Sequence, residues 1–479
     1  MSELLLALDP EEFVESAGIA ISIEEPMLHR LDTLLPGLPG SPDAGRVQVG
    51  SVLYDRSRQC YRMWYTAYPE FTGDLAFPSH PAYAESRDGV VWSKPELGLV
   101  EYRGSRRNNL LPGIPELCGI EAVIHDDDGT YLAALNKVGC LTADMIEDAA
   151  LRRQCDAYPM PAFMGIVRSR DGLCWEYDGD LRYPAIREKY EMVRLMKMGR
   201  HYLLSGQQMR PWCEADVYER MVTFFISEDL AHWEKLPGFY RAEGHVQSHI
   251  GITMLGEYGH TMLGLSGRFS DAPELPDQAM EVDLVRSRSG LNWRQVAPCR
   301  PYLRRGPVGS WNAGSILQAQ GCVDSGDEQL FYFSGGTAGN CPVGNIVSPG
   351  YVRIPRHRFG FAGLKVGWDI GFQGIRRGRL RTRTLHPAAP HERLFLNCGN
   401  FVKNGRIRAA LTDETGHVLP GFGLEQSIPV GRDGLAVPLR WQRQSGMLPA
   451  DFQLLLALEG GTFRNESPRL YAIMLKPSP

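Results

Sequence analysis

The chain has 479 residues, more than one hydrophobic core serves, so two domains or a repeat array plus a domain are expected. Apolar residues make up 43% and the formal net charge is −5, so no strong field calls for nucleic acid or an anionic membrane as a partner. No apolar stretch is long enough to span a bilayer, Met1 to Asp9 lacks the basic start of a secretory signal, and the 10 cysteines form no C-x-x-C pair. Buried thiols in a cytoplasmic protein are expected, with no disulfide framework and no zinc.

Along the chain, one short signature recurs. Ser86-Arg87-Asp88-Gly89-Val90-Val91-Trp92 is its first copy and Ser169-Arg170-Asp171-Gly172-Leu173-Cys174-Trp175 its second. Ser227-Glu228-Asp229-Leu230-Ala231-His232-Trp233 lacks the Gly, and Ser287-Arg288-Ser289-Gly290-Leu291-Asn292-Trp293 has Ser for Asp. The Trp residues lie 83, 58 and 60 apart, and another such step reaches Tyr351-Val352-Arg353, a degenerate fifth copy. An alternating strand precedes each complete copy. Asp or Ser can cap the turn's N–H groups, Gly accepts positive φ, and Trp opens the next strand, so each copy reads as a β-hairpin. Two further strands precede each hairpin: first strands at 47–54, 120–125, 192–198, 250–255 and 314–318, second strands at 61–68, 131–137, 201–207, 261–267 and 329–334. Four strands per unit and five units predict an all-β fold, a five-bladed β-propeller over 46–373. Residues 1–45 are a lead-in. Thr142 to Gln154 reads as a helical insertion in the second blade, which accounts for the long first spacing. The last hundred residues lose the signature and show short strands between Gly-rich turns, a β-sandwich over 374–479.

Tyr61-Arg62-Met63-Trp64-Tyr65 followed by the stretch from Tyr83 to Gly98 resembles bacterial proteins similar to glycoside hydrolase families 32 and 43. Arg406-Ile407-Arg408 through Asp413, then Leu419-Pro420-Gly421-Phe422, resembles the sandwich of family 32. The resemblance spans nearly the whole chain. It implies a five-bladed propeller with a C-terminal sandwich and a sugar-processing site in the propeller channel. Activity must still be argued from the site, because a fold hosts many chemistries.

In a propeller the first strand of each blade lines the channel, so the residues opening these strands are the site candidates. They are Arg46, Gln48 and Ser51 in blade one, Glu121 in blade two, Glu191 in blade three, His245, Gln247 and His249 in blade four, and Trp311 and Asn312 in blade five. Glycoside hydrolysis needs two carboxyl groups facing the scissile bond. Glu121 and Glu191, from adjacent blades, are the candidate acid and base, with His249 assisting. Trp311 would be a stacking platform, Arg46 and Asn312 orienting donors, and Trp212 a cover over the mouth. His245 and His249 would need a third ligand to hold a metal. Substrate hydrogen bonding or acid–base work is preferred for them, and no metal or cofactor is expected. The resembling hydrolases carry an Asp in the first strand of blade one; here Arg46 to Val52 holds no acid, and neither Asp43 nor Asp55 is in register.

The leading expectation is a glycoside-hydrolase-like enzyme acting on a small sugar or glycoside. The alternatives are a non-hydrolytic enzyme (cyclase, lyase or isomerase) on the same scaffold, and a sugar-binding propeller without catalysis. Substrate identity and oligomeric state are left open.

Overall fold

The computed structural model describes residues 3–477 except 71–78, 115–117, 139–160, 181–189, 212–217, 244–246, 249, 271, 273, 276–277, 299, 340–344, 356–360, 367–375, 403–404, 443–446 and 461–466. Among these the fold is nearly all β, the one helical element being the single 3-10 turn Pro10–Glu12. The expected helix at 142–154 lies outside the described residues. No helix among them is long and apolar enough to cross a membrane. Two compact units emerge: Pro26–Leu255 with Leu263–Ile354, and Met1–Glu25 with Gly256–Met262 and Pro355–Pro479.

The larger unit is built from four-stranded antiparallel groups. Group one is Arg46–Asp55, Cys60–Tyr68, His80–Ser86 and Trp92–Ser93. Group two is Cys118–His125, Tyr131–Val138, Pro161–Ser169 and Glu176–Asp180. Group three is Tyr190–Met198, His201–Pro211, Tyr218–Ser227 and Glu234–Tyr240. Group four is Thr253–Tyr258, Thr261–Ser270, Ala279–Ser287 and Arg294–Gln295. Ser315–Ser325, Glu328–Gly336 and Val347–Pro355 form the last group. Its fourth strand comes from early in the chain, Leu28–Arg30, with Tyr351 opposite His29. That explains the degenerate fifth copy. The chain leaves for the other unit after the third strand, so no hairpin and no Trp are needed there.

The signature works as its chemistry requires. In copy one the Ser86 hydroxyl accepts from the Gly89 N–H at 2.9 Å, and Asp88 Oδ1 accepts from Val90 and Val91 at 2.8 and 2.7 Å. The Trp92 indole donates to the Gly89 carbonyl at 3.0 Å. The turn residue has φ of 77°, 72° and 74° at Gly89, Gly172 and Gly290, and Leu230 adopts 65° in the third copy despite its side chain. All four Trp side chains are buried, each worth about 4–6 kcal/mol of removed apolar surface. The hairpins also dock neighbouring groups. Arg62 donates to the Asp171 carbonyl at 2.6 Å and Trp64 to the Gly172 carbonyl at 2.7 Å, both reaching from group one to group two. A Cβ on Gly172 would lie 2.9 Å from both the Arg62 and Trp64 side chains, so this turn needs glycine for approach as well as for φ.

A second repeat leads into two of the first strands. Gly37-Leu38-Pro39-Gly40-Ser41-Pro42-Asp43-Ala44-Gly45 and Gly306-Pro307-Val308-Gly309-Ser310-Trp311-Asn312-Ala313-Gly314 share the pattern G-x-x-G-S-x-[DN]-A-G. Both fold alike. Ser41 donates to Asp43 at 3.0 Å and Ser310 to Asn312 at 3.1 Å, while Gly37 and Gly306 donate to the carbonyls of Asp43 and Asn312.

The smaller unit holds two sheets. One runs Gly434–Pro438, Glu392–Gly399, Arg469–Pro477, Ala362–Val366, Ile19–Ile23, with Glu3–Leu6 also against Arg469–Pro477; the other runs Phe13–Ala17, Arg376–Leu385, Phe452–Gly460, Arg406–Thr412. Leu394, Leu396, Ile473 and Leu475 from the first share one core with Leu380, Ile407, Leu454 and Leu456 from the second. Strand alternation explains the basic run at 376–383. Leu380 and Thr382 point inward, while Arg381 meets Glu15 at 3.2 Å and Arg383 meets Glu12 at 2.8 Å. Residues 1–45 are thus divided, 1–25 pairing within this unit and Leu28–Arg30 within the other.

Candidate functional site

The five first strands of the larger unit are tied to one another in a closed ring. The Ser51 hydroxyl accepts from the Val123 N–H at 2.6 Å, joining groups one and two. Arg194 Nη1 donates to Glu121 Oε2 at 3.2 Å, joining two and three. Arg194 Nε donates to Thr253 Oγ1 at 3.2 Å, and Thr253 Oγ1 donates to the Ala319 carbonyl at 3.0 Å, joining three to four and four to the last group. A parallel bridge between Gln320 and Ser51 returns to the start. These strands approach so closely that Gly50 has no room for a side chain; a Cβ there would fall 2.0 Å from the Ile120 carbonyl oxygen.

Bulges set the side chains at the centre. In group two Ala134 faces Ala122 and Leu135 faces Ile120, so Glu121 is the extra residue of a bulge in its strand. In group three the register shifts between Glu191, opposite Gln207, and Arg194, opposite Ser205. A bulge re-aims the residue it carries. Here two bulges on neighbouring first strands bring a carboxylate and a guanidinium together, with Glu121 4% and Arg194 2% exposed. Burial draws the Arg194 guanidinium below its usual range, and the charge of Glu121 opposes that. Arg46 opens the first strand of group one directly opposite Tyr68. Burial holds the Tyr68 phenol well above its usual range; Glu121 pushes the same way and Arg46 opposes. Arg46, Tyr68, Glu121 and Arg194 therefore share one electrostatic environment, with half-buried Gln48 beside Arg46 on the same strand face.

The other candidates divide. Trp311 is half-buried and stacks on Phe333, ring centres 5.7 Å apart at 25°. A Cβ on Gly335 or Gly350 would come within 2.4 or 2.6 Å of its ring, so one indole face rests on bare backbone of its own group. Asn312 is buried and its Oδ1 accepts from Ser310. For Glu191 and Gln247 only the backbone is described; Gln247 sits opposite Phe269. His245, His249 and Trp212 lie outside the described residues. Among the described residues no three His, Cys, Asp or Glu are grouped to hold a metal.

The two acids flanking the first strand of group one are engaged elsewhere. Asp43 is buried against Lys94 at 2.5 Å and Tyr65 at 3.2 Å. Asp55 closes the turn at the far end, accepting from Ser57 and Arg58. Sequence reasoning missed Arg194 and Tyr68. Arg194 carried a signal, a basic residue set between the apolar Val193 and Leu195 of a first strand. Tyr68 is visible only through its cross-strand partner. Open clefts beside hairpin copies one and two, lined by Arg58, Asp88 and Trp92 and by Arg168, Asp171 and Glu176, repeat with the hairpins and belong to their geometry.

No protein-family model and no curated protein matches the chain. Among solved structures it is similar to a glycoside hydrolase, at 11% identity and TM-score 0.48 over 69% of this chain and 92% of that one. A glycosyl hydrolase from Bacteroides ovatus matches at 12% identity and TM-score 0.45, covering 69% and 94%. An exo-inulinase from Aspergillus awamori matches at 12% identity and TM-score 0.41, covering 94% and 99%.

Proposed function

We propose that this chain is a glycoside-hydrolase-like enzyme, a five-bladed β-propeller with a β-sandwich, that acts on a small sugar or glycoside at the mouth of the propeller channel. Each four-stranded group is then a blade, and the first strands enclose the channel. The sandwich comprises the two sheets of the smaller unit. The observation that carries the reading is the Glu121 carboxylate, set by a bulge at the centre of the strand ring, paired with buried Arg194 and electrostatically linked to Arg46 and Tyr68. A concave site with a few convergent polar groups and an aromatic wall suits a sugar. Glu121 and Glu191 are the acid–base pair in this reading, with His249 assisting, Trp311 stacking, Trp212 covering, and Arg46, Gln48, His245, Gln247 and Asn312 contacting the substrate. A cytoplasmic location fits the free thiols Cys60, Cys118, Cys174, Cys322 and Cys398.

The test is a screen of aryl glycosides and short oligosaccharides against the wild type, Glu121→Gln and Glu191→Gln. Turnover in the wild type that falls at least ~100-fold in both variants is expected; unchanged turnover in both sinks the assignment. One observation favours a second reading. Asp43 is held by Lys94 and Asp55 by its turn, so neither acid flanking the first strand of blade one serves the mouth. A non-hydrolytic enzyme on the same site, or a sugar-binding propeller, accommodates that. Sugar binding in calorimetry without turnover would select the binding protein, and an altered but unhydrolysed sugar the non-hydrolytic enzyme.

A further inference from the structure

We infer that a buried water molecule joins groups three and four, hydrogen-bonded to Tyr240 Oη, Asp283 Oδ1 and the Arg268 guanidinium.

The three side chains come from different strands. Tyr240 ends the fourth strand of group three, while Arg268 lies on the second strand of group four and Asp283 on its third. They are 2%, 5% and 1% exposed. Tyr240 Oη, Asp283 Oδ1, and Arg268 Nε and Nη1 are buried polar atoms with no hydrogen-bond partner among the described residues. The atoms beside them are already engaged. Asp283 Oδ2 accepts from Gln295 Nε2 at 2.6 Å, and Gln295 Oε1 accepts from the Glu243 N–H at 2.6 Å, where the chain passes from group three to group four. Arg268 Nη2 donates to Glu281 Oε2 at 3.2 Å. The remaining atoms do not satisfy one another: Arg268 Nη1 and Asp283 Oδ1 are 3.5 Å apart, an ion-pair contact that makes no hydrogen bond. Tyr240 shares their environment, since burial raises its phenol, Asp283 raises it further and Arg268 opposes. A buried polar group left unpaired keeps its full desolvation penalty, so protein interiors pair such groups or hydrate them. The chemistry of these atoms selects the occupant. Arg268 only donates, ionised Asp283 only accepts, and the phenol does either. Arg268 is outnumbered by Asp283, Glu281 and Glu243 among the charges acting on the cluster, which disfavours an anion, and the N–H groups of Arg268 repel a cation. A small neutral molecule that accepts from Arg268 and donates to Asp283 fits, and with Tyr240 a water gains the roughly three partners usual for buried water.

The experiment is a crystal structure of the full chain at about pH 8, where Asp283 is ionised, with a parallel crystal soaked in bromide. A fully occupied density peak is expected within about 2.6–3.2 Å of Tyr240 Oη, Asp283 Oδ1 and an Arg268 nitrogen, with no anomalous bromide signal at that position. A bromide peak there, a protein side chain in that position, or a direct hydrogen bond from Tyr240 to Asp283 or Arg268 overturns the inference. Oxygen-17 magnetic relaxation dispersion, which counts long-lived internal waters, supplies the test in solution. The double variant Tyr240→Phe/Asp283→Leu is expected to hold about one such water fewer than the wild type. An unchanged count overturns the inference. If the double variant does not fold, the wild-type crystal structure decides alone, absence of the peak being the refuting result.

Discussion

Asp283 makes stability depend on pH in a direction opposite to most carboxylates. It lies on the third strand of group four, 1% exposed, accepting from Gln295 at 2.6 Å, with Arg268 Nη1 3.5 Å away. Arg268 is shared with Glu281 at 3.2 Å, so Asp283 has only part of a cation. Burial pushes the Asp283 carboxyl up to about 6 from its ordinary 3.8; Arg268 and Gln295 pull it down and Glu281 pushes it further up. A carboxyl raised on folding binds its proton more tightly in the native state. Its contribution to stability is therefore fully present below about pH 4 and is lost as the pH rises through about 6. The interval corresponds to about 3 kcal/mol between pH 4 and pH 7. Asp283→Asn keeps an acceptor for Gln295 and cannot ionise. The variant should therefore gain about 3 kcal/mol relative to the wild type across that window. Urea unfolding of both proteins at pH 4, 5, 6 and 7, followed by tryptophan fluorescence, measures the difference. Parallel stability curves for the two proteins would refute the reasoning. Glu281→Gln should narrow the window, because it removes an acid that raises Asp283 and leaves Arg268 to it alone.

Two other substitutions test the scaffold. Arg62→Met removes a buried guanidinium that serves the Tyr83 and Tyr131 hydroxyls at 3.0 and 2.8 Å and the Asp171 carbonyl, so thermal or urea unfolding should show a loss of about 3–5 kcal/mol. A loss under about 1 kcal/mol would mean that the hairpin docks through Trp64 without it. Ser289→Asp should stabilise by about 0.5–1 kcal/mol. Ser289 Oγ accepts from Leu291 and Asn292 at 3.3 and 3.2 Å, where Asp229 Oδ1 in the third copy accepts from Ala231 and His232 at 2.9 and 2.8 Å. An unchanged unfolding midpoint would show that the turn gains nothing from the charge.

Much of the strand layout was legible because strand and turn are local. The repeated Ser-x-Asp-Gly-x-x-Trp carries its own hydrogen bonds within a few residues, so its spacing marks the hairpins and, by subtraction, the strands before them. The turn at Leu230 shows the limit of residue-type rules. Its backbone adopts the left-handed conformation of the glycines in the other copies because the same Ser227 and Asp229 caps impose it. The G-x-x-G-S-x-[DN]-A-G repeat was equally local and equally readable, and it places Asp43 and Asn312 in loop-closing roles.

What the sequence alone determined about this protein is the all-β class and the hairpin series. Those properties follow from bonds between near neighbours and from the period-2 pattern. The tertiary structure decided which strand completes the last group. Leu28–Arg30 pairs with Val347–Pro355 across more than three hundred residues, and three residues of ordinary composition carry no mark of that partner. It also decided the state of Glu121. The bulge that re-aims its side chain is a property of the pairing, and a cation that meets it lies 73 residues away on another strand. Buried charge is settled by what surrounds it in space, and at the centre of a ring those surroundings come from every part of the chain.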